Sequence, residues 1–148
     1  MENIYAPNED DPNFFTSVFN RLLDFKCEEI IVGGDFNLVL DVDKDKKGGL
    51  ARTHKKSLEV ISNFSENLDL KDAWRVLNFE ISRFTWRHKK PEVHCRLDFF
   101  LVNQITFCNT VSTDISPGYK TDHSMITLQI SLHSNNRGRG FGNLTPLF

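Results

Sequence analysis

With 148 residues, 39% hydrophobic and 26% charged, the chain is sized for one domain with a real core and leaves no room for a second. Its net charge of −2 excludes a protein that meets nucleic acid through its overall field, although local basic clusters remain to be weighed. No apolar run approaches a membrane span and residues 1 to 20 carry no basic-then-apolar leader pattern. The three widely spaced cysteines, Cys27, Cys95 and Cys108, give neither a disulfide framework nor a zinc site. An intracellular protein, nuclear or cytoplasmic, neither secreted nor membrane-bound, is therefore expected.

In chain order, Asn3–Ala6 reads as a short strand closed by Pro7-Asn8. Asp11 suits a helix N-cap and Pro12 the first helical position. Phe14, Phe15, Val18, Phe19, Leu22 and Leu23 then recur at helical spacing, which predicts an amphipathic helix to about Phe25. Glu28 to Val32 reads as a buried strand, so this first third predicts a strand–helix–strand crossover in an α/β protein. Gly33-Gly34 follows as a turn at the sheet's edge, delivering Asp35 and Asn37. If the backbone there stays extended, the two side chains point the same way and address one metal ion or one phosphate.

Residues 38 to 56 change character. Asp41, Asp43 and Asp45 alternate with Val42, Lys44 and Lys46 before Lys47-Gly48-Gly49, but the closing Glu and central Gly of a calcium loop are absent, so a solvated charged loop is expected. From Thr53 a second helix carries Leu58, Ile61, Phe64 and Leu68 on one face, and Leu70 to Val76 reads as a short helical turn leading back to the sheet. Phe84-Thr85-Trp86 is strand-prone, Arg87 to Pro91 makes a basic hairpin-like loop, and Cys95 to Val102 reads as one strong strand containing Asp98. Thr110 to Ile115 is another strand, ended by Ser116-Pro117-Gly118. Met125 to Leu132 alternates, with Ile126, Leu128, Ile130 and Leu132 on one face. The domain is thus expected over residues 1 to 132, and the Asn-, Arg- and Gly-rich residues 133 to 148 read as a disordered tail or linker remnant.

A charge inside an apolar strand needs a partner, and the simplest for Asp98 is Arg96 or Arg83. Taken singly, Asp122-His123 is a surface turn or a helix cap, Thr85 a strand residue and Tyr5 a core residue. Taken together, Asp35, Asn37, Asp98, Asp122 and His123 all fall at or near strand ends, where α/β sheets place their chemistry. Adjacent Asp and His suit a base or a transition-state stabiliser. Several carboxylates with an Asn and no suitable cysteine ligand suit a hard divalent cation such as Mg²⁺, hence phosphate-ester chemistry.

Five ordered motifs carry a resemblance: Asn-Ile-Tyr-Ala-Pro-Asn at residue 3, Gly-Gly-Asp-Phe-Asn at 33, Phe-Thr-Trp at 84, Arg-Leu-Asp-Phe-Phe-Leu-Val at 96 and Tyr-Lys-Thr-Asp-His-Ser-Met-Ile at 119. In this order the chain resembles the exonuclease–endonuclease–phosphatase superfamily, and within it the endonuclease domain of LINE-type (non-LTR) retrotransposons, relatives of apurinic/apyrimidinic endonucleases. The resemblance implies a deoxyribonuclease-like sandwich of two sheets flanked by helices, and Mg²⁺- or Mn²⁺-dependent cleavage of DNA phosphodiesters by an activated water. It implies that Tyr5 positions the phosphate or nucleophile and that Asp35 orients and deprotonates the water. Asn37 would hold water and phosphate, and Asp98 would orient His123. That histidine would contact the scissile phosphate, with Thr85 near it. Asp122 would be a metal ligand, with Asp35, Asn37 and His123 completing the metal-facing set. Thr121 stands where relatives often have Ser.

The family domain also has an N-terminal half bearing an Asn and a Glu of the metal site, and Met1 stands just before the Tyr5 motif. The expectation is therefore a portion of the α/β sandwich lacking that half: a truncated phosphodiesterase, inactive or weakly active alone, with an uncovered sheet face open to self-association. The alternatives are an enzyme completed by a partner chain and a non-catalytic α/β module that self-associates or binds nucleic acid. For the last, Lys44, Lys46, Lys47, Arg52, Lys55 and Lys56, with Arg87, Lys89 and Lys90, are the basic candidates.

Overall fold

The computed structural model describes residues 1–50 and 53–131. Arg52, Leu132 and the tail reading of residues 133 to 148 lie outside the described residues. Strand β1 (Glu2–Tyr5), helix α1 (Pro12–Asp24) and strand β2 (Ile31–Asp35) form the expected crossover, β1 and β2 pairing in parallel with Tyr5 beside Asp35. The Asp11 carboxylate accepts from Asn13 N and Phe14 N at 3.0 and 3.2 Å, with Pro12 opening α1. A four-stranded sheet follows the order β1-β2-β7-β4, with β7 (Asp98–Asn103) and β4 (Leu70–Asp72) antiparallel to their neighbours.

Helix α1 and helix α3 (Lys55–Asn67) cover one face of this sheet. Phe15, Val18 and Phe19 from α1 and Ile61 from α3 are buried there with Val32, Phe36, Leu38, Phe99 and Leu101. Phe36 stacks on Phe99 at 3.9 Å between ring centroids and Phe19 on Phe64 at 4.8 Å. Full burial of each such side chain contributes roughly 1.5–3 kcal/mol. The first turn of α3 takes its cap from far away in sequence. Asp10 accepts from Ser57 N, Ser57 Oγ and Lys56 N at 2.7–3.2 Å, and these bonds hold its carboxyl below the ordinary aspartate value.

Two smaller sheets accompany the main one. One is β3-β6-β5, built from β3 (Lys46–Lys47), β6 (Glu92–Cys95) and β5 (Trp86–Lys89). The other pairs β8 (Thr110–Ser116) with β9 (Met125–Ile130), and a bridge between Trp86 and His123 links the two. Among the described residues no helix is long and apolar enough to cross a membrane.

Five expectations are corrected. The strand predicted at Glu28–Val32 begins at Ile31 and runs through both glycines to Asp35. Its start is delayed because the Asn103 side chain accepts from Ile30 N and donates to Glu28 O at 3.1 and 2.7 Å, in place of ladder bonds. The glycines serve close approach rather than a turn. A Cβ on Gly34, at φ +136°, would stand 2.0 Å from Ile4 O, and one on Gly33 would stand 2.4 Å from the Phe100 ring.

The solvated loop at 38 to 56 instead contains helix α2 (Val42–Asp45), and Asp45 is 1% exposed. Its carboxylate binds Arg96 through Nε and Nη2 at 2.8 and 2.7 Å, and also Arg75, while Asp72 lies 2.6 Å from Arg96 Nη2. Burial presses the Arg96 guanidinium to lose its proton, but the bonds to Asp45 and the charge of Asp72 outweigh it and raise its pKa.

The single strand predicted from Cys95 to Val102 is two strands in different sheets, β6 and β7, parted at Arg96-Leu97. Arg87, His88 and Lys89, expected in a loop, lie in β5. Helices α4 (Ala73–Leu77) and α5 (Gln104–Cys108) complete the described elements.

Candidate active site

β2 and β7 run antiparallel with Asp35 directly opposite Asp98, on the sheet face away from α1 and α3. Each carboxylate comes from a strand end, so both reach the rim of the sheet. His123, in the turn before β9, completes the group: Nδ1 lies 2.9 Å from Asp98 Oδ2 and Nε2 lies 3.9 Å from Asp35 Oδ2. A carboxylate only accepts, so the imidazole carries a proton on Nδ1 and donates it to Asp98. Asp98 therefore pairs with neither expected arginine. Arg96 belongs to Asp45 and Asp72, and Arg83 reaches Asp114 at 2.8 Å.

Asp35 is 9% exposed. Burial is the main cause that raises its carboxyl pKa, and the neighbouring Asp98 charge adds to it, against the opposing pull of the Asn37 N–H and His123. Asn37 sits at φ +49°, so the backbone is not extended between it and Asp35. Its N–H bonds Asp35 Oδ1 at 2.9 Å and its Nδ2 donates to Ala6 O at 2.7 Å, which locks the turn against the end of β1. Tyr5, named both as a core residue and as a phosphate-positioning one, is 77% exposed at the register position beside Asp35.

Two expected site residues are placed differently. Thr85 is 0% exposed and its hydroxyl is committed to the backbone of Leu97 and Asp98, so its side chain meets no solvent. Asp122 is exposed and turned to Trp86, whose Nε1 donates to its Oδ2 at 2.9 Å; this bond, chief among several, lowers its pKa. Among the described residues the group of three His, Cys, Asp or Glu side chains whose ligand atoms all lie within 4.8 Å of one another is Asp35, Asp98 and His123, and Asp122 is not part of it. Two hard carboxylate donors and one imidazole fit a divalent cation.

Beside this group runs a groove of about 880 Å³ lined by Arg87, His88, Lys89, His94, Lys120 and Asp122, among others. Lys120 and the two histidines were not singled out in the sequence, because β5, β6 and the 120–122 turn meet only in the fold. Of the other basic candidates, Lys44 lies 3.5 Å over the Phe79 ring and Lys46 binds Leu50 O.

The fold is that of apurinic/apyrimidinic endonucleases and exonucleases. The chain is similar to a 3′-5′ exonuclease from Neisseria meningitidis (TM-score 0.71, 17% identity) and to a Neisseria 3′ phosphatase bound to a product DNA hairpin (0.67, 17%). It is also similar to an AP endonuclease from Archaeoglobus fulgidus (0.69, 12%). Each match covers 88% of this chain and 60% of the other. In sequence the chain is 30% identical over 139 residues to an uncharacterized 149 kDa protein of transposon TX1 from Xenopus laevis, covering 89% of this chain and 10% of that protein. No protein-family model matches it.

Proposed function

We propose that these residues belong to the endonuclease domain of a LINE-type (non-LTR) retrotransposon and carry part of a divalent-metal-dependent DNA phosphodiesterase site. The observation that carries this reading is the Asp35–Asp98–His123 group on two facing strand ends, in a fold shared with nucleases and a phosphatase. The similarity to a transposon protein supports the retrotransposon origin.

Asp35 and Asp98 would hold the cation, Mg²⁺ or Mn²⁺, joined by His123 Nε2 only in the state in which that nitrogen carries no proton. When bound it neutralises phosphate charge and makes water a better nucleophile. Asp35, its pKa raised by burial, accepts the water's proton at Oδ2. Asp98 fixes the imidazole through Nδ1, which leaves Nε2 to donate to a non-bridging phosphate oxygen. Asn37 holds the 35–37 turn, and exposed Tyr5 is free to contact the phosphate. DNA is the substrate, its backbone lying along the Arg87, Lys89 and Lys120 groove. Asp122 stands outside the group, so these 148 residues alone are expected to cut weakly or not at all.

The test combines calorimetric Mn²⁺ binding with nicking of supercoiled plasmid in Mg²⁺, Mn²⁺ or EDTA. Mn²⁺ binding that is lost in Asp35→Asn is expected, with any nicking abolished by EDTA and by Asp98→Asn. Nicking that survives EDTA, or Mn²⁺ binding unchanged in Asp35→Asn, would overturn the reading. The basic groove favours a second reading, a non-catalytic nucleic-acid-binding module, whose mark is salt-dependent DNA binding with neither metal binding nor cleavage.

A further inference from the structure

The structure assigns Thr85 as the positioning residue that sets Asp98 and His123 against each other. Wholly buried, it bonds two separate segments at once, residues 95–98 and Ser124. Its Oγ1 accepts from Leu97 N and Asp98 N at 2.9 and 3.0 Å, where β6 breaks and β7 begins. Its own N–H donates to Cys95 O at 2.9 Å, and its carbonyl accepts from Ser124 N at 2.6 Å, one residue beyond His123.

The chain would otherwise run straight from Cys95 into Val102, as its apolar pattern suggests. The break at Arg96-Leu97 leaves backbone N–H groups without ladder partners, and a buried N–H left unpaired is destabilising. One hydroxyl satisfies two of them. In doing so it fixes where β7 starts, and hence where the Asp98 carboxylate stands. The same residue's carbonyl anchors the turn that carries the imidazole. Continuing the clasp, Arg87 N donates to Asp122 O at 3.1 Å and Trp86 bridges to His123. The Asp98–His123 bond at 2.9 Å is thus the product of two backbone positions set by one side chain and its own peptide. Serine keeps the hydroxyl; valine keeps the shape without it.

This role takes its catalytic meaning from the phosphodiesterase reading, but its geometry can be read without any turnover. The experiment is NMR on the folded 148-residue chain and its Thr85→Ser, Thr85→Val and Thr85→Ala variants, with folding checked by circular dichroism. Two signatures are followed: the hydrogen-bonded His123 Nδ1 proton, identified by its loss in Asp98→Asn, and exchange protection of the Leu97 and Asp98 amides. Thr85→Ser is expected to keep both. Thr85→Val and Thr85→Ala are expected to lose both while other strand amides stay protected. Where nicking is measurable, kcat should fall about 100-fold in Thr85→Val with KM nearly unchanged. An unshifted Nδ1 proton in folded Thr85→Val, or its loss in Thr85→Ser, overturns the assignment. So does unfolding of both Val and Ala variants, which would make Thr85 a core residue only. Absence of nicking in every form bears on the nuclease reading and leaves the NMR result to decide this one.

Discussion

Replacing Asp45 by alanine tests the buried ion cluster directly. The substitution leaves Arg96, 1% exposed, with Asp72 as its remaining carboxylate, and its Nη1 already lacks a partner. Arg75 fares better, since its Nη1 also donates to the carbonyls of Asn78, Phe79 and Ile81. The loss therefore falls mainly on Arg96. Removing one partner of a buried pair costs about 3–5 kcal/mol, and retention of Asp72 sets the expectation at the lower end, about 3 kcal/mol. That is a large share of the roughly 5–15 kcal/mol that holds a domain together. At about 2–4 °C per kcal/mol for a chain of this size, Tm should fall by about 6–12 °C. Urea unfolding followed by circular dichroism, beside a thermal melt, reads both numbers. Substituting both partners by apolar residues, Asp45→Leu with Arg96→Met, removes the orphaned charge and should recover most of the loss. Asp45→Ala within 1 kcal/mol of wild type, or a double variant no better than the single, would refute the reasoning.

Asp35→Asn should stabilise the metal-free protein at neutral pH. The folded pKa is raised by burial, so ionising Asp35 costs the folded state stability as pH rises from the unfolded value through the folded one. The gain in Tm should be present at pH 7 in EDTA and vanish below the ordinary carboxylate range; a lower Tm at pH 7 contradicts it. For Asp10→Ala the sign reverses. Its folded pKa is depressed by the Ser57 and Lys56 bonds, so its contribution is full above the unfolded pKa and lost as pH falls through the folded one. The variant should melt below wild type at pH 6 and converge with it in strong acid, and a gap independent of pH would argue against the cap. Gly34→Ala should cost roughly 3 kcal/mol or more, because the new methyl meets Ile4 O at 2.0 Å in a backbone region that L residues avoid. Near-wild-type urea stability would mean that β1 does not pair as described.

The parts of the fold legible in the sequence are those whose signal is local. Helix α1 announces itself by Asp11, Pro12 and the spacing of Phe15, Val18 and Phe19, and the crossover follows from the order of elements. Where a long-range side chain decides, the pattern misleads. Ile30 looks like strand, but the Asn103 amide, 73 residues away, replaces its ladder bond. Asp45 looks like one member of a solvated acidic run, yet its partners Arg75 and Arg96 lie 30 and 51 residues on. No alternation of charge could show that. Cys95 to Val102 looks continuous because apolar residues recur through it at Cys95, Leu97 and Phe99 to Val102, and the hydroxyl that bonds the backbone at its break sits at Thr85.

The site was legible as a set of residue types and less so as a set of roles. Asp35, Asp98 and His123 could be gathered from strand ends, but which atoms face each other depends on the β2–β7 register and on the turn before β9. That geometry constrains the chemistry in a way the residue types do not. With Nδ1 committed to Asp98, His123 has one nitrogen left. Nε2 either carries a proton to give to a phosphate oxygen or offers its lone pair to a cation; one nitrogen does not do both at once. The two functions expected of this histidine, phosphate contact and metal ligation, therefore belong to different states of the site.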